Sequence, residues 1–239
     1  MENDFWGFER KNFTFLDREA VLVFPNRERN NRIMLKTEYF GAFPELEIAM
    51  LKEGYTLAYL KNLNRWGTDE DQLAKRNFAD YLQSEYGLYR RFICIGMSCG
   101  GFHAVNFASR YPAYVSLLYL DAPLLSFCGW SGDGGENRRI WEEEQLQAYG
   151  FSSPAELRVY NDQPIHRLKT LTDNKIPVAL VYGDSDTCVD PQENAVTLYQ
   201  YYRLKNAPIK LWCKPGCDHH PHVAVDVREV IDFIKENEL

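Results

Sequence analysis

The sequence has no apolar run long enough to cross a bilayer. Its longest, Val115 to Phe127, is interrupted by Asp121 and Pro123, whereas a helical span needs about 20 apolar residues. It also lacks an excess of positive charge: 27 Lys+Arg stand against 34 Asp+Glu, a formal net charge of −7. A nucleic-acid binder normally carries a basic face. Here Arg27-Glu28-Arg29 and Arg138-Arg139 are interrupted or flanked by acids. No nucleic-acid partner and no membrane association are therefore expected. Internal repeats and low-complexity linkers are absent too, and the composition excludes disorder and collagen-like repeats. The first stretch, Met1 to Asp17, is polar and acidic and has no apolar signal-peptide core. The expected location is cytoplasmic, with the six cysteines (Cys94, Cys99, Cys128, Cys188, Cys213 and Cys217) as free thiols.

What is present suits one globular α/β domain. The chain has 239 residues, 45% of them hydrophobic, enough for a large core. Short strands are expected at Phe13–Leu16, Ala20–Phe24, Ile33–Thr37, Thr56–Leu60, Phe92–Met97 and Val115–Leu120, with a turn at Asp17-Arg18. Helical spacing marks Pro44–Glu53, Asp69–Tyr86 and Phe102–Arg110. Alternation resumes with strand Val178–Tyr182, helix Gln192–Leu204, strand Ile209–Cys213 and helix Val223–Asn237. Strands alternating with amphipathic helices predict a mostly parallel sheet covered on both faces. Between them, Ala122–Ile176 breaks the rhythm. It holds Gly132-Asp133-Gly134-Gly135 and two helical stretches, Arg138–Tyr149 and Pro154–Tyr160. It is expected to cap the carboxyl edge of the sheet, where ligands bind in open α/β sheets.

Gly96-Met97-Ser98-Cys99-Gly100 is a G-x-S-x-G pentapeptide. Alone the pattern is weak. Here it follows a buried strand and opens a helix, the context that a nucleophile elbow needs. Glycines without a Cβ let the strained turn form, and the helix N-terminus favours developing negative charge at Ser98. These residues resemble the α/β-hydrolase superfamily, and the resemblance extends over nearly the whole chain. More narrowly, Ser98-Cys99-Gly100-Gly101, Tyr119-Leu120-Asp121-Ala122-Pro123 and His219-His220-Pro221-His222 resemble small bacterial esterases associated with carbohydrate metabolism. That group usually places Arg where this chain has Cys99.

The resemblance implies the order serine, acid, histidine. Gly216-Cys217-Asp218-His219 resembles the family's G-x-x-H, making His219 the expected base, with His220 as rival and His222 as structural. Cys213, Cys217 and the three histidines fit no standard zinc signature, so no metal or other cofactor is expected. Tyr182-Gly183-Asp184-Ser185-Asp186 matches G-x-x-D and points to Asp186 as the acid. Asp184 and Asp121 are rivals; Asp190 is read as solvated. The oxyanion hole is expected from the Cys99 N–H and from Tyr39 or Phe40 N–H in Glu38-Tyr39-Phe40-Gly41. The Cys99 thiol is either activated by the helix N-terminus or buried and inert. Glu38 is a candidate at the substrate or a structural hydrogen-bonding group. Trp130, in the aromatic-rich insertion, is a candidate at the substrate or a packing residue. The expected activity is a carboxylesterase-type serine hydrolase acting on a small ester with a short acyl group, with thioesterase, peptidase and non-catalytic binding protein as alternatives. The oligomeric state is left open.

Overall fold

A computed structural model describes residues 4–131, 135–219, 221–224 and 226–239. Among them nine strands form one sheet, in the order β1-β2-β3-β5-β4-β6-β7-β8-β9. β1 (Asp4–Phe5), β2 (Phe8–Phe15) and β3 (Arg18–Val23) make an antiparallel N-terminal ribbon, and β3 is also antiparallel to β5 (Thr56–Leu60). β5, β4 (Ile33–Lys36), β6 (Phe92–Met97), β7 (Val115–Asp121), β8 (Val178–Gly183) and β9 (Ile209–Lys214) are parallel. The β2–β3 turn falls one residue earlier than expected, on Leu16 and Asp17, because Arg18 already pairs with Phe15. No helix among the described residues is long and apolar enough to cross a membrane.

The period-two alternation of each strand sorts the core into two layers. Ile33 and Leu35 of β4, with Phe92 and Cys94 of β6, face one side. That side is covered by α2 (Asp69–Tyr86), α3 (Cys99–Arg110), α6 (Leu168–Asp173) and α7 (Thr197–Leu204). Met34, Ile93 and Ile95 face the other, under α1 (Glu45–Lys52) and α8 (Val227–Asn237). The last two helices differ from expectation for local reasons. Val196 N–H bonds to Pro191 O at 2.8 Å and the Thr197 hydroxyl to Gln192 O at 2.6 Å. These wide i−5 bonds turn Gln192–Val196 into a π turn ahead of α7. The last helix starts at Val227 rather than Val223, where the Asp226 side chain accepts the Arg228 N–H at 2.8 Å.

The expected cap segment contains α4 (Gly135–Tyr149) and α5 (Pro154–Val159); Gly132, Asp133 and Gly134 lie outside the described residues. Its aromatics pack on one another. Phe127 stacks on Phe102 of α3 at 5.2 Å and meets Tyr149 edge-on at 4.8 Å. The end of the segment is not cap. Leu168, Leu171 and Ile176 join the main core, so α6 belongs to the helical layer.

Candidate active site

The site gathers at the carboxyl ends of the parallel strands. Ser98 leaves β6 in a left-handed turn, φ 52° and ψ −122°, a conformation that costs about 1–3 kcal/mol outside glycine. The surroundings enforce it. Ser98 N–H donates to Asp121 O at 3.0 Å, and Ser98 O accepts from Gly101 N at 2.9 Å and Leu124 N at 3.0 Å. A Cβ on Gly96 would stand 2.6 Å from Gly100 O and 2.9 Å from the Ala104 Cβ. Strand and helix thus cross too closely for any side chain there. The helix starts at Cys99, three residues before the expected Phe102, because the turn delivers the chain directly into α3.

His219 lies in the loop after β9. Its Nε2 is 3.0 Å from Ser98 Oγ, and its Nδ1 is 2.7 Å from Asp186 Oδ2. Asp186, 7% exposed, follows β8. Its second oxygen, Oδ1, accepts the N–H groups of Cys188 and Val189, each at 2.8 Å. A carboxylate can only accept, so His219 Nδ1 carries a proton and Nε2 faces the serine as an acceptor. The loop that carries His219 is pinned by Asp218, which accepts from Thr187 N–H at 2.7 Å and His219 N–H at 2.8 Å. His220 lies outside the described residues.

The rival acids have other partners. Asp184 accepts from Gly216 N–H at 2.7 Å. Asp121 Oδ2 is 2.7 Å from His222 Nδ1. Asp190 is not simply solvated: it is half-buried and accepts the Gln192 N–H at 2.8 Å. Among the described residues, no cluster of three or more His, Cys, Asp or Glu side chains is placed to hold a metal ion.

Cys99 N–H opens α3, beside Ser98. The Glu38-Tyr39-Phe40 loop passes over the same helix end: the Glu38 Cβ lies 3.3 Å from where a Gly100 Cβ would stand. The Phe40 ring is committed to packing, 5.2 Å from Phe5 and 5.1 Å from Tyr59. The Cys99 thiol hydrogen-bonds with the Tyr39 hydroxyl, and burial pushes its pKa up to about 12. Burial therefore outweighs the helix N-terminus, and the thiol is protonated at neutral pH. Trp130 is 7% exposed, stacked on Trp141 at 4.1 Å and edge-on to Trp66 at 5.9 Å. That burial makes its ring a packing residue and not an open substrate wall.

Glu38 borders a cavity of about 830 Å³ shared with Asn62, Asn64, Arg65, Trp66 and Glu144. Its Oε2 accepts from Asn62 Nδ2 at 2.6 Å. Beneath it lies a buried network that the sequence reading passed over. Lys75 donates to Asn62 Oδ1, and its Nζ is 3.2 Å from His103 Nδ1. His103 Nε2 is 3.1 Å from Asn64 O, so Nε2 carries the proton and Nδ1 accepts from Lys75. Burial lowers the pKa of Lys75 to about 8 and, with the Lys75 charge adding to it, drives that of His103 well below its ordinary value. The sequence signal was slight: Lys75 and His103 fall on the buried faces of their helices, among other buried polar residues such as Asp71, Gln72 and Asn106.

Several solved structures overlay this architecture. The acylaminoacyl peptidase of Pyrococcus horikoshii matches 97% of this chain with a TM-score of 0.73 at 13% identity. The S-formylglutathione hydrolase of Agrobacterium tumefaciens matches 100% with a TM-score of 0.68 at 13% identity, over 99% of its own length. The chain has the α/β-hydrolase fold. A CIB-like hydrolase from Thermoplasma acidophilum shares this hydrolase fold over 96% of this chain and 98% of its own, with a TM-score of 0.60 at 14% identity. The chain spans only 42% of the Pyrococcus peptidase and 36% of a Bacteroides ovatus dipeptidyl aminopeptidase IV structure. No protein-family model and no curated protein matches the sequence.

Proposed function

We propose that the protein is a serine hydrolase that cleaves a small carboxylic ester through an acyl-enzyme on Ser98. One observation carries this reading: the unbroken relay from Ser98 Oγ to His219 Nε2 (3.0 Å) and from His219 Nδ1 to Asp186 Oδ2 (2.7 Å). His219 takes the serine proton as Oγ attacks the acyl carbon. Asp186 holds the ring and stabilises the imidazolium. The oxyanion is received by Cys99 N–H and a second N–H from Tyr39 or Phe40. The imidazolium then protonates the leaving group, and water, activated by the same histidine, releases the acyl group. Neither metal nor organic cofactor enters these steps.

Two features support a short acyl group and a polar alcohol. Beside the nucleophile, Cys99 packs with buried Trp66, Leu124, Trp130 and Val189, which leaves that wall filled. Trp66, which packs with Cys99, also lines the cavity at Glu38, where Asn62, Asn64, Arg65 and Glu144 are polar. A second reading, peptidase or thioesterase, draws on the overlay with a peptidase and an S-formylglutathione hydrolase. The test is a substrate series of nitrophenyl esters from acetate to palmitate, acetylated sugars, thioesters and aminoacyl anilides. Highest kcat/KM on acetyl esters is expected. Preference for anilides or thioesters would move the assignment to the second reading. Preference for acyl chains of about eight carbons or more would overturn the short-acyl assignment, since each buried CH₂ is worth roughly 0.8 kcal/mol.

A further inference from the structure

A second His–Asp pair stands next to the first. His222 and Asp121 are both buried, their side chains each 5% exposed, and Asp121 Oδ2 is 2.7 Å from His222 Nδ1. The carboxylate only accepts, so His222 donates from Nδ1. Tyr119 also faces this carboxylate, and burial, together with the Asp121 charge, holds its phenol protonated. The pair touches three parts of the candidate site. Asp121 ends β7 in register with Met97, and its backbone O accepts the Ser98 N–H at 3.0 Å. His222 lies three residues after His219, in a short 3-10 turn over Pro221–Ala224. Its ring packs against Phe43, at 4.0 Å between centroids, where the Glu38–Phe40 loop runs into α1.

We infer that His222 and Asp121 are a positioning pair for the Ser98 reaction, locking the loop that carries the base to the strand end that holds the nucleophile. The inference rests on the proposed serine-hydrolase reading. The pair acts through the position of His219. Replacing both partners of a buried hydrogen bond by apolar groups of the same shape can be nearly neutral for stability. The geometric return of the pair here is specific. Without the Asp121 bond, the segment after β9 loses this tie to β7, and His219 Nε2 is held against Ser98 Oγ only by the contacts at Asp186 and Asp218 and the rest of its loop, a looser seat. Misplacement by about 1 Å lowers a rate by roughly 100-fold.

The experiment measures kcat and KM on nitrophenyl acetate and the rate of Ser98 labelling by a fluorophosphonate. His222→Ala is expected to lower kcat and the labelling rate about 100-fold with KM changed less than about threefold. His222→Asn, whose amide N–H can reach the Nδ1 position, is expected to recover most of the loss. His222→Gln, whose amide sits nearer the Nε2 position, should not; it replaces His222→Ala if that variant does not fold by circular dichroism. Asp121→Asn keeps a carbonyl acceptor and is expected to stay within about tenfold of wild type, unlike loss of a triad acid. A folded His222→Ala or His222→Gln with kcat within about threefold of wild type would overturn the pair's role, as would a folded His222→Asn no better than His222→Ala. A wild-type protein that turns over esters but is indifferent to His222 refutes this inference alone. A wild-type protein that neither labels nor turns over refutes the serine-hydrolase reading beneath it.

Discussion

Replacing Asp186 by Asn is nearly isosteric, yet the two ends of the side chain face opposite demands. Oδ1 accepts two backbone N–H groups at 2.8 Å, from Cys188 and Val189. In the Asp186→Asn variant the carbonyl must stay there, because a flipped amide would set its NH₂ against two donors. The amide NH₂ therefore points at His219 Nδ1, 2.7 Å away in the parent. Imidazole must answer with an acceptor at Nδ1, which moves its proton to Nε2. That nitrogen, 3.0 Å from Ser98 Oγ, can then no longer take the serine proton. The equivalent substitution in another serine hydrolase lowers kcat about 10⁴-fold, which corresponds to about 5.5 kcal/mol of barrier at 1.36 kcal/mol per decade. Steady-state hydrolysis of nitrophenyl acetate, with thermal melting as a check on folding, measures it. An Asp186→Asn protein that melts like wild type and keeps kcat within tenfold would refute the assignment of the acid. A matching collapse in Asp121→Asn instead would transfer the role to β7.

Cys99 should resist alkylation. Its thiol is buried with a pKa near 12, so iodoacetamide at pH 7.5 is expected to label exposed Cys128 and Cys213 and leave Cys99 intact by peptide mass mapping; fast labelling of Cys99 would contradict its burial. Gly183→Ala should cost most of the activity, since a Cβ there would lie 2.5 Å from Asp218 O and push away the loop that carries His219; unchanged kcat would show that this loop can give. Lys75 predicts a pH effect on stability. Its pKa is about 8 in the fold against an ordinary 10.5. Between those values the unfolded chain holds the proton that the folded state has released, so this group's contribution rises with pH, by up to about 3 kcal/mol. Buried Cys94 and Cys99, with raised pKa values, act in the opposite direction. Denaturant melts of wild type and Lys75→Met from pH 7 to 10 isolate the lysine: the advantage of Lys75→Met should shrink as pH rises, and a constant difference would contradict the depressed pKa.

The fold was legible because its signal is periodic. Central strands such as Ile33–Lys36, buried on both faces, read as short apolar runs, and amphipathic helices such as Asp69–Tyr86 bury one face, so burial needs only the pattern. Ser98 was legible because an elbow needs small residues on both sides at fixed spacing, and Gly96 and Gly100 supply them. What escaped was set by tertiary pairing. Nothing local tells that Asp121 meets His222 across 101 positions, or that Lys75 of α2 meets His103 of α3 across 28. For Trp130 the sequence leaves substrate contact and packing open, and the Trp141 ring stacked on it is a tertiary contact. The π turn before α7 depends on a backbone bond from Val196 N–H to Pro191 O and on the Thr197 hydroxyl, each reaching back five residues. The Cys99 thiol was ambiguous because the helix end and burial act in opposite directions, and only the degree of burial decides.

The central claim is that Ser98 is a nucleophile activated by His219. Intact-mass spectrometry after exposure to a fluorophosphonate tests it most directly. The account predicts one covalent adduct on wild type, mapped to Ser98, none on Ser98→Ala, and strongly slowed labelling of folded His219→Ala. A wild-type protein that stays unmodified, or an adduct that persists in Ser98→Ala, would contradict it.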